Sequence, residues 1–84
     1  MTKQEIERVV LDVLAGIAPE IEPGDIEPET NFRDQFDFDS MDLHNFIIGL
    51  CEALKIEVPE ADYPELASLA GCVSYLTAKI KGKH

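Results

Sequence analysis

The feature that most constrains the fold is a row of apolar residues spaced three and four positions apart in the middle of the chain. Its members are Leu43, Phe46, Ile47, Leu50 and Leu54. In an α-helix this spacing puts the side chains on one face, so a helix of about residues 40–55 with a buried stripe is predicted. A second row at helical spacing lies on another face, and it indicates either deep burial or a contact surface: Met41, His44, Ile48 and Cys51 or Glu52.

The N-terminal segment has the same amphipathic pattern. Thr2 and Glu5 have the spacing of a capping box, which predicts a helix of about residues 3–18 that ends before Pro19. Its apolar positions recur at helical intervals: Ile6, Val10, Val13, Leu14 and Ile17.

The C-terminal third predicts one short and one longer helix. Residues 60–66 are expected to form a short, irregular helix, because Pro64 tolerates only a helix that starts near it. Ser68 is placed to cap a last helix, which has an apolar row at Leu69, Val73, Leu76 and Ile80. Three lysines complement the negative end of that helix, at positions 79, 81 and 83.

A long acidic segment separates the first two main helices. From Pro19 to Asp39 it has three prolines, eight acidic residues and a single base, Arg33. Connections of this length usually carry function or are pinned by their own side chains. Anchoring in the core is expected for Ile21, Ile26, Phe32 and Phe36, whereas Phe38 is the candidate for exposure beside Ser40.

These elements predict an all-α fold, a small four-helix bundle of three main helices plus one short helix, with a long loop between helices 1 and 2. The 84 residues are expected to form a single domain, since the chain is too short for two cores. Cys51 and Cys72 lie in helical apolar patterns and form no zinc-ligand set with His44 and His84, so free thiols are expected.

Charge limits the possible partners. The net charge of −10 and the pI near 4.3 make nucleic acid and anionic membranes poor partners, and favour basic patches on other proteins.

The first five residues lack the apolar core of a signal peptide and no long apolar run follows, so a cytoplasmic protein is expected. It is expected to be a monomer. The acidic loop lacks the residue spacing of a calcium-binding loop.

Ser40 is the candidate functional residue. Asp39 or Ser40 can cap the helix that follows, and Asp42 in its first turn suits the positive end of the helix dipole. A hydroxyl held there, next to backbone donors without partners, is a good attachment point for a phosphodiester. Simple capping explains the same residues, and the base and oxyanion hole of a serine hydrolase are not recognisable in the sequence.

Taken together, the sequence resembles the acyl carrier proteins. The resemblance rests on Asp39-Ser40-Met41 at the start of the second helix, the acidic loop with aromatic residues, and the Glu57-Val58-Pro59 segment. It implies that Ser40 carries a 4′-phosphopantetheine arm, installed from coenzyme A by a separate phosphopantetheinyl transferase. Acyl intermediates would travel on that arm as thioesters, so the chain itself is not expected to be an enzyme.

The resemblance also implies two sets of site residues. Acyl-transferring and synthase enzymes with basic docking patches are expected to bind Asp39, Met41, Asp42, His44, Ile48 and Glu52. Acyl chains in this family fold back between the second and third helices, and the candidates for lining such a pocket are Phe46, Leu50, Leu54, Val58 and Leu66. An ordinary core explains the second set equally well.

Several positions depart from the family pattern. Phe38 stands where many members have glycine, and His44 and Asn45 stand where the common fatty-acid carriers have a small aliphatic residue and an acid. A specialised carrier for a modified fatty acid, polyketide or amino acid is therefore as well supported as a fatty-acid carrier. The alternative function is an unmodified acidic helical module for protein–protein interaction, in which Ser40 only caps a helix.

Overall fold

The computed structural model describes residues 2–81, and all regular secondary structure in that range is helical. The α-helices are α1 (Lys3–Ile17), α2 (Phe32–Gln35), α3 (Ser40–Leu54) and α4 (Leu69–Lys81). Two 3₁₀ helices span Pro23–Asp25 and Glu60–Leu66, and the latter is called the 60–66 segment below. α1 packs against both α3 and α4, and the 60–66 segment packs against α4. The predicted all-α bundle of three main helices and one short helix is confirmed.

The predicted capping box begins α1. Thr2 Oγ1 accepts a hydrogen bond from Glu5 N at 3.1 Å, and the Glu5 carboxylate accepts one from Thr2 N at 2.8 Å. These bonds favour the charged carboxylate and lower the pKa of Glu5. α1 ends at Ile17, within one residue of the predicted end.

The acidic loop is pinned to the bundle along its length. Phe32 N donates to Ala67 O, and Ala70 N donates to Pro28 O, both at 2.8 Å. The Gln35 amide adds hydrogen bonds to the backbone of Glu27 and Thr30. Of the expected anchors, Ile26 and Phe32 are buried, and Ile21 and Phe36 are half-buried. The short helix α2 was not predicted, because four residues are too few for a periodic pattern.

Phe38, the candidate for exposure beside Ser40, is instead buried. Its side chain is only 6% exposed, and its ring centroid lies 5.5 Å from that of Phe32 and 6.2 Å from that of Phe46. Asp37 and Asp39 on either side are exposed, so the chain alternates between solvent and core here. Burying a phenyl ring is worth a few kcal/mol, about 1.5–3, and this favours placing Phe38 in the core.

The 60–66 segment is short and irregular, as predicted, but Pro64 is its fifth residue rather than a residue near its start. The 3₁₀ geometry tolerates this position, because its hydrogen bonds are shorter in sequence range: Asp62 N donates to Pro59 O, and Ala67 N to Pro64 O. Ser68 Oγ then accepts from Gly71 N at 3.1 Å, which confirms it as the cap of α4.

The last turn of α4 is basic. Lys79 and Lys81 lie in the last turn of α4, while Lys83 and His84 are outside the described residues.

Both cysteines are free thiols, as predicted. Cys72 is buried and donates to Leu66 O at 3.2 Å, and burial raises its pKa to about 12. None of the helices within residues 2–81 has the length and hydropathy needed to cross a bilayer.

Candidate functional site

Ser40 is the first residue of α3, and it is exposed. The cap of this helix is Asp39 rather than Ser40. Asp39 Oδ1 accepts from Asp42 N at 2.8 Å, and Asp42 Oδ2 accepts from Asp39 N at 3.3 Å, so the two carboxylates satisfy each other's backbone donors. The Ser40 hydroxyl makes no hydrogen bond within residues 2–81 and is left free for other chemistry.

Buried aromatic rings on both sides fix the position of Ser40. Phe38 lies two residues before it and Phe46 six residues after it, and both pack against Phe32 with ring centroids 5.5 and 5.6 Å apart. Such edge and tilted contacts are favourable arrangements for aromatic pairs. The hydroxyl therefore projects from a rigid element, although it lies next to a long loop.

A cleft of about 330 Å³ opens beside this hydroxyl, and we call it the Ser40 cleft. It lies between α2, the start of α3 and the end of the 60–66 segment. Its polar lining residues are Arg33, Asp39 and Ser40, and its apolar ones are Phe32, Phe38, Leu43 and Ala67. Leu43, predicted in the buried stripe of α3, is half-buried because it borders this opening.

The second apolar row of α3 forms a surface rather than a buried face. Met41 is 71% exposed and Ile48 is 41% exposed, and both are large hydrophobic side chains. We define the α3 outer face by the six residues predicted for partner binding: Asp39, Met41, Asp42, His44, Ile48 and Glu52. All of them are exposed except Asp42, which is half-buried in its capping box.

His44, one of the residues expected to bind partner enzymes, is exposed. Its Nδ1 lies 3.4 Å from the Tyr63 hydroxyl, and the two ring centroids are 5.9 Å apart. The contact joins α3 to the 60–66 segment at the surface. His44 therefore contributes to the packing of these two elements in addition to lying on the α3 outer face.

The five candidates for an acyl pocket divide into two groups. Phe46, Leu50 and Leu66 are fully buried, while Leu54 and Val58 are half-buried. None of the five borders the Ser40 cleft. Phe46, Leu50 and Leu66 form part of the core, and the role of all five as an acyl pocket stays a prediction.

The chemistry available at Ser40 is that of an exposed primary alcohol. No side-chain base is hydrogen-bonded to it within residues 2–81, and in that range no cluster of His, Cys, Asp or Glu could hold a metal ion. The site does fit a covalently attached phosphodiester, because it combines a free hydroxyl, a neighbouring guanidinium at Arg33 and an apolar wall.

Sequence reasoning missed two residues of this site. Arg33 could have been identified, because it is the one base in a strongly acidic segment. Ala67 gave no signal, since its place beside α2, where its carbonyl oxygen accepts from Phe32 N, depends on a contact between residues far apart in sequence.

Comparisons with known proteins agree with these features. The family model of the phosphopantetheine attachment site matches residues 8–76. An acyl carrier protein of Lactobacillus acidophilus is 30% identical over 76 residues, which is 90% of this chain and 94% of the relative. One of Prochlorococcus marinus is 27% identical, covering 94% and 98%. A Schizosaccharomyces pombe protein named as a mitochondrial acyl carrier protein is 23% identical, covering 99% and 74%.

Proposed function

Because this chain belongs to the acyl carrier proteins, whose cofactor is phosphopantetheine, we propose that Ser40 is its attachment residue and that it carries acyl groups between enzymes. The observation that carries the proposal is the free, exposed hydroxyl at the start of α3, with the capping role taken by Asp39. When attached, the arm supplies a terminal thiol that holds acyl groups as thioesters.

Attachment requires only a nucleophilic oxygen from this chain. The Ser40 oxygen forms a bond to the phosphorus next to pantetheine in coenzyme A, and the pyrophosphate P–O bond breaks. The nucleoside 3′,5′-bisphosphate leaves with the bonding electrons, and the hydroxyl proton passes to a base of the phosphopantetheinyl transferase. The rigid start of α3 holds the oxygen in place for that enzyme.

We further propose that the α3 outer face binds the transferase and the acyl-transferring and synthase enzymes. Met41 and Ile48 offer exposed apolar contacts, and Asp39 and Glu52 offer negative charge to a basic patch. Opposite charges speed the encounter and orient the partners more than they tighten the complex. Fast, weak binding suits a carrier that meets several enzymes in succession.

The pathway is proposed as fatty acid, polyketide or related specialised biosynthesis, and the departures at Phe38, His44 and Asn45 make a specialised carrier as well supported as a fatty-acid carrier. The cytoplasm is the proposed location, with support from the two bacterial relatives. The mitochondrial relative makes an organelle the alternative.

Intact-mass analysis after incubation with a phosphopantetheinyl transferase and coenzyme A tests the attachment. The wild type should gain the mass of one phosphopantetheine, and Ser40→Ala should gain none. Ser74→Ala is the matched control, because Ser74 is an exposed serine on α4, and it should be modified like the wild type. A wild type that stays unmodified with several transferases contradicts the proposal.

The alternative function, an unmodified acidic interaction module, is distinguished by a second substitution. Ser40→Asn keeps a polar residue after the cap but removes the hydroxyl. An interaction module would keep its partner binding and cellular function with this variant, whereas a carrier would lose its function completely.

Docking is tested by the association rate with the transferase at low salt. Glu52→Lys should slow association several-fold, because it places a positive charge on the α3 outer face. Glu7→Lys is the control, since it makes the same charge change at an exposed position of α1. Equal rates for the two variants would contradict docking through the α3 outer face.

A further inference from the structure

The Ser40 cleft has a cation without a partner. Arg33 is exposed, and its guanidinium makes no ion pair or hydrogen bond within residues 2–81, although the segment around it is acidic and the whole chain has a net charge of −10. A guanidinium presents several donors in a fixed plane, which suits two-point binding of phosphate oxygens. An anionic group placed in this cleft would therefore find Arg33 available.

The position of Arg33 is fixed by its neighbours. Phe32, the preceding residue, is fully buried, and its backbone N–H donates to the carbonyl oxygen of Ala67, which also lines the cleft, at 2.8 Å. Two residues after Arg33 in the sequence, the Gln35 amide donates to Glu27 O and Thr30 O at 2.9 Å each. The backbone that carries the guanidinium is thus held before any ligand binds, which lowers the entropic cost of binding.

The rest of the cleft lining is apolar. Phe38, Leu43 and Ala67 line it, and Leu43 is half-buried at its edge. The cleft therefore pairs one cation with a small hydrocarbon surface, next to a free hydroxyl. In phosphopantetheine, one methylene group separates the phosphate from a quaternary carbon with two methyl groups. The arm therefore also places a negative charge close to a small hydrocarbon surface.

We propose that the Ser40 cleft docks the near end of the phosphopantetheine arm, with Arg33 paired to the phosphodiester and the apolar wall covering the dimethyl segment. This inference rests on the proposed attachment at Ser40. Arg33 is a positioning residue: it offsets the repulsion between the new negative charge and Asp39, and it sets the direction in which the arm leaves α3. The far end of the arm, with its thiol, stays outside the cleft.

The test uses the intact protein with the arm attached and its completeness confirmed by mass. Wild type, Arg33→Gln and Arg33→Lys are compared with Arg8→Gln, which removes the other arginine of the chain, an exposed residue on α1. The first readout is the phosphorus NMR signal of the single phosphodiester. The second is the change in thermal unfolding midpoint on attaching the arm.

We expect Arg33→Gln to move the phosphorus signal towards that of free phosphopantetheine and to make attachment more destabilising, whereas Arg8→Gln should match the wild type in both readouts. Arg33→Lys should be intermediate, because it keeps the charge without the planar pair of donors. Added salt should reduce the difference between wild type and Arg33→Gln. Leu43→Ala should broaden the range of arm positions and shift the same signal.

Two results would overturn the inference. If Arg33→Gln and Arg8→Gln give the same phosphorus signal and the same midpoint change, Arg33 does not pair with the phosphodiester. If the signal responds to Arg33 only after an acyl group is loaded, the cleft holds the cargo rather than the arm. In both cases the arm is attached, so the proposed function stands, whereas a wild type that gains no arm removes the proposed function itself.

Discussion

The side chain of Val13 on α1 occupies the space that any side chain at Gly49 on α3 would need. A methyl group at Gly49 would lie 2.7 Å from Val13 Cγ1, well inside van der Waals contact. Gly49 weakens helix propensity by about 1 kcal/mol relative to alanine, so its presence in the middle of α3 is explained by this close approach of two helices.

Gly49→Ala should therefore destabilise the protein, because overpacking typically costs about 1–3 kcal/mol, more than the gain in helix propensity. Chemical denaturation measures the effect. Gly16→Ala is the control: a methyl group there meets no atom within 4 Å, so that variant should gain up to about 1 kcal/mol. Adding Val13→Ala to Gly49→Ala should recover part of the loss, and a stabilised Gly49→Ala would contradict the packing.

Phe38→Ala should cost about 3–5 kcal/mol, because it removes a buried ring that contacts both Phe32 and Phe46. The free energy of unfolding of a small domain is only about 5–15 kcal/mol, so this variant should be close to unfolding at ambient temperature. Phe36→Ala provides the comparison, since Phe36 is half-buried and its loss should be smaller. Equal losses for the two variants would mean that Phe38 is not part of the core.

Asp39→Ala should lower the free energy of unfolding by about 1 kcal/mol, because it removes the N-cap of α3. Asp39→Asn keeps an oxygen that can accept from Asp42 N and should retain most of the stability. Asp37→Ala makes the same charge change at an exposed position outside the capping box. If all three variants are equally stable in denaturation, the capping box contributes nothing measurable.

Tyr75 should ionise at unusually high pH. Partial withdrawal from water, followed by its hydrogen bond to Asp62 at 2.7 Å, raises its pKa from 10.0 to about 12. The neutral phenol is thus favoured in the folded state, and its contribution to stability is complete below pH 10 and is lost as the pH rises towards 12. An ultraviolet titration of phenolate should show this step in the wild type and not in Tyr75→Phe.

Substitutions at Asp62 test whether its hydrogen bond and charge contribute to the raised pKa of Tyr75. Asp62→Asn removes the negative charge next to the phenol and should lower the pKa of Tyr75, whereas Asp12→Asn, at an exposed position of α1, should leave the step in place. A step that does not move in Asp62→Asn would show that withdrawal from water alone accounts for the shift.

Much of the architecture could be predicted because the main helices are long and amphipathic. The capping residue Thr2 and the apolar row from Leu43 to Leu54 predicted the bounds of α1 and α3 within one residue of those observed, and Ser68 predicted the start of α4. The family was also accessible from sequence, since Asp39-Ser40-Met41 lies at a helix start in a small acidic chain. The helix bounds and the family motif depend on residues that are close together in the sequence. The spacing of apolar residues and the capping residues show them directly.

The acidic loop was less predictable, because its structure depends on partners far away in sequence. The short helix α2 is held by the bond between Phe32 N and Ala67 O, and Phe38 is buried through rings at positions 32 and 46. The sequence alone therefore determined the three long helices and the short helix before α4, the negative charge of the chain, and that a helix starts near Ser40. Only the tertiary structure decided that Asp39 rather than Ser40 is the cap, and that Arg33 and Leu43 line one cleft beside the hydroxyl. These last relationships arise from side-chain packing between separate elements, on which local sequence patterns carry no information.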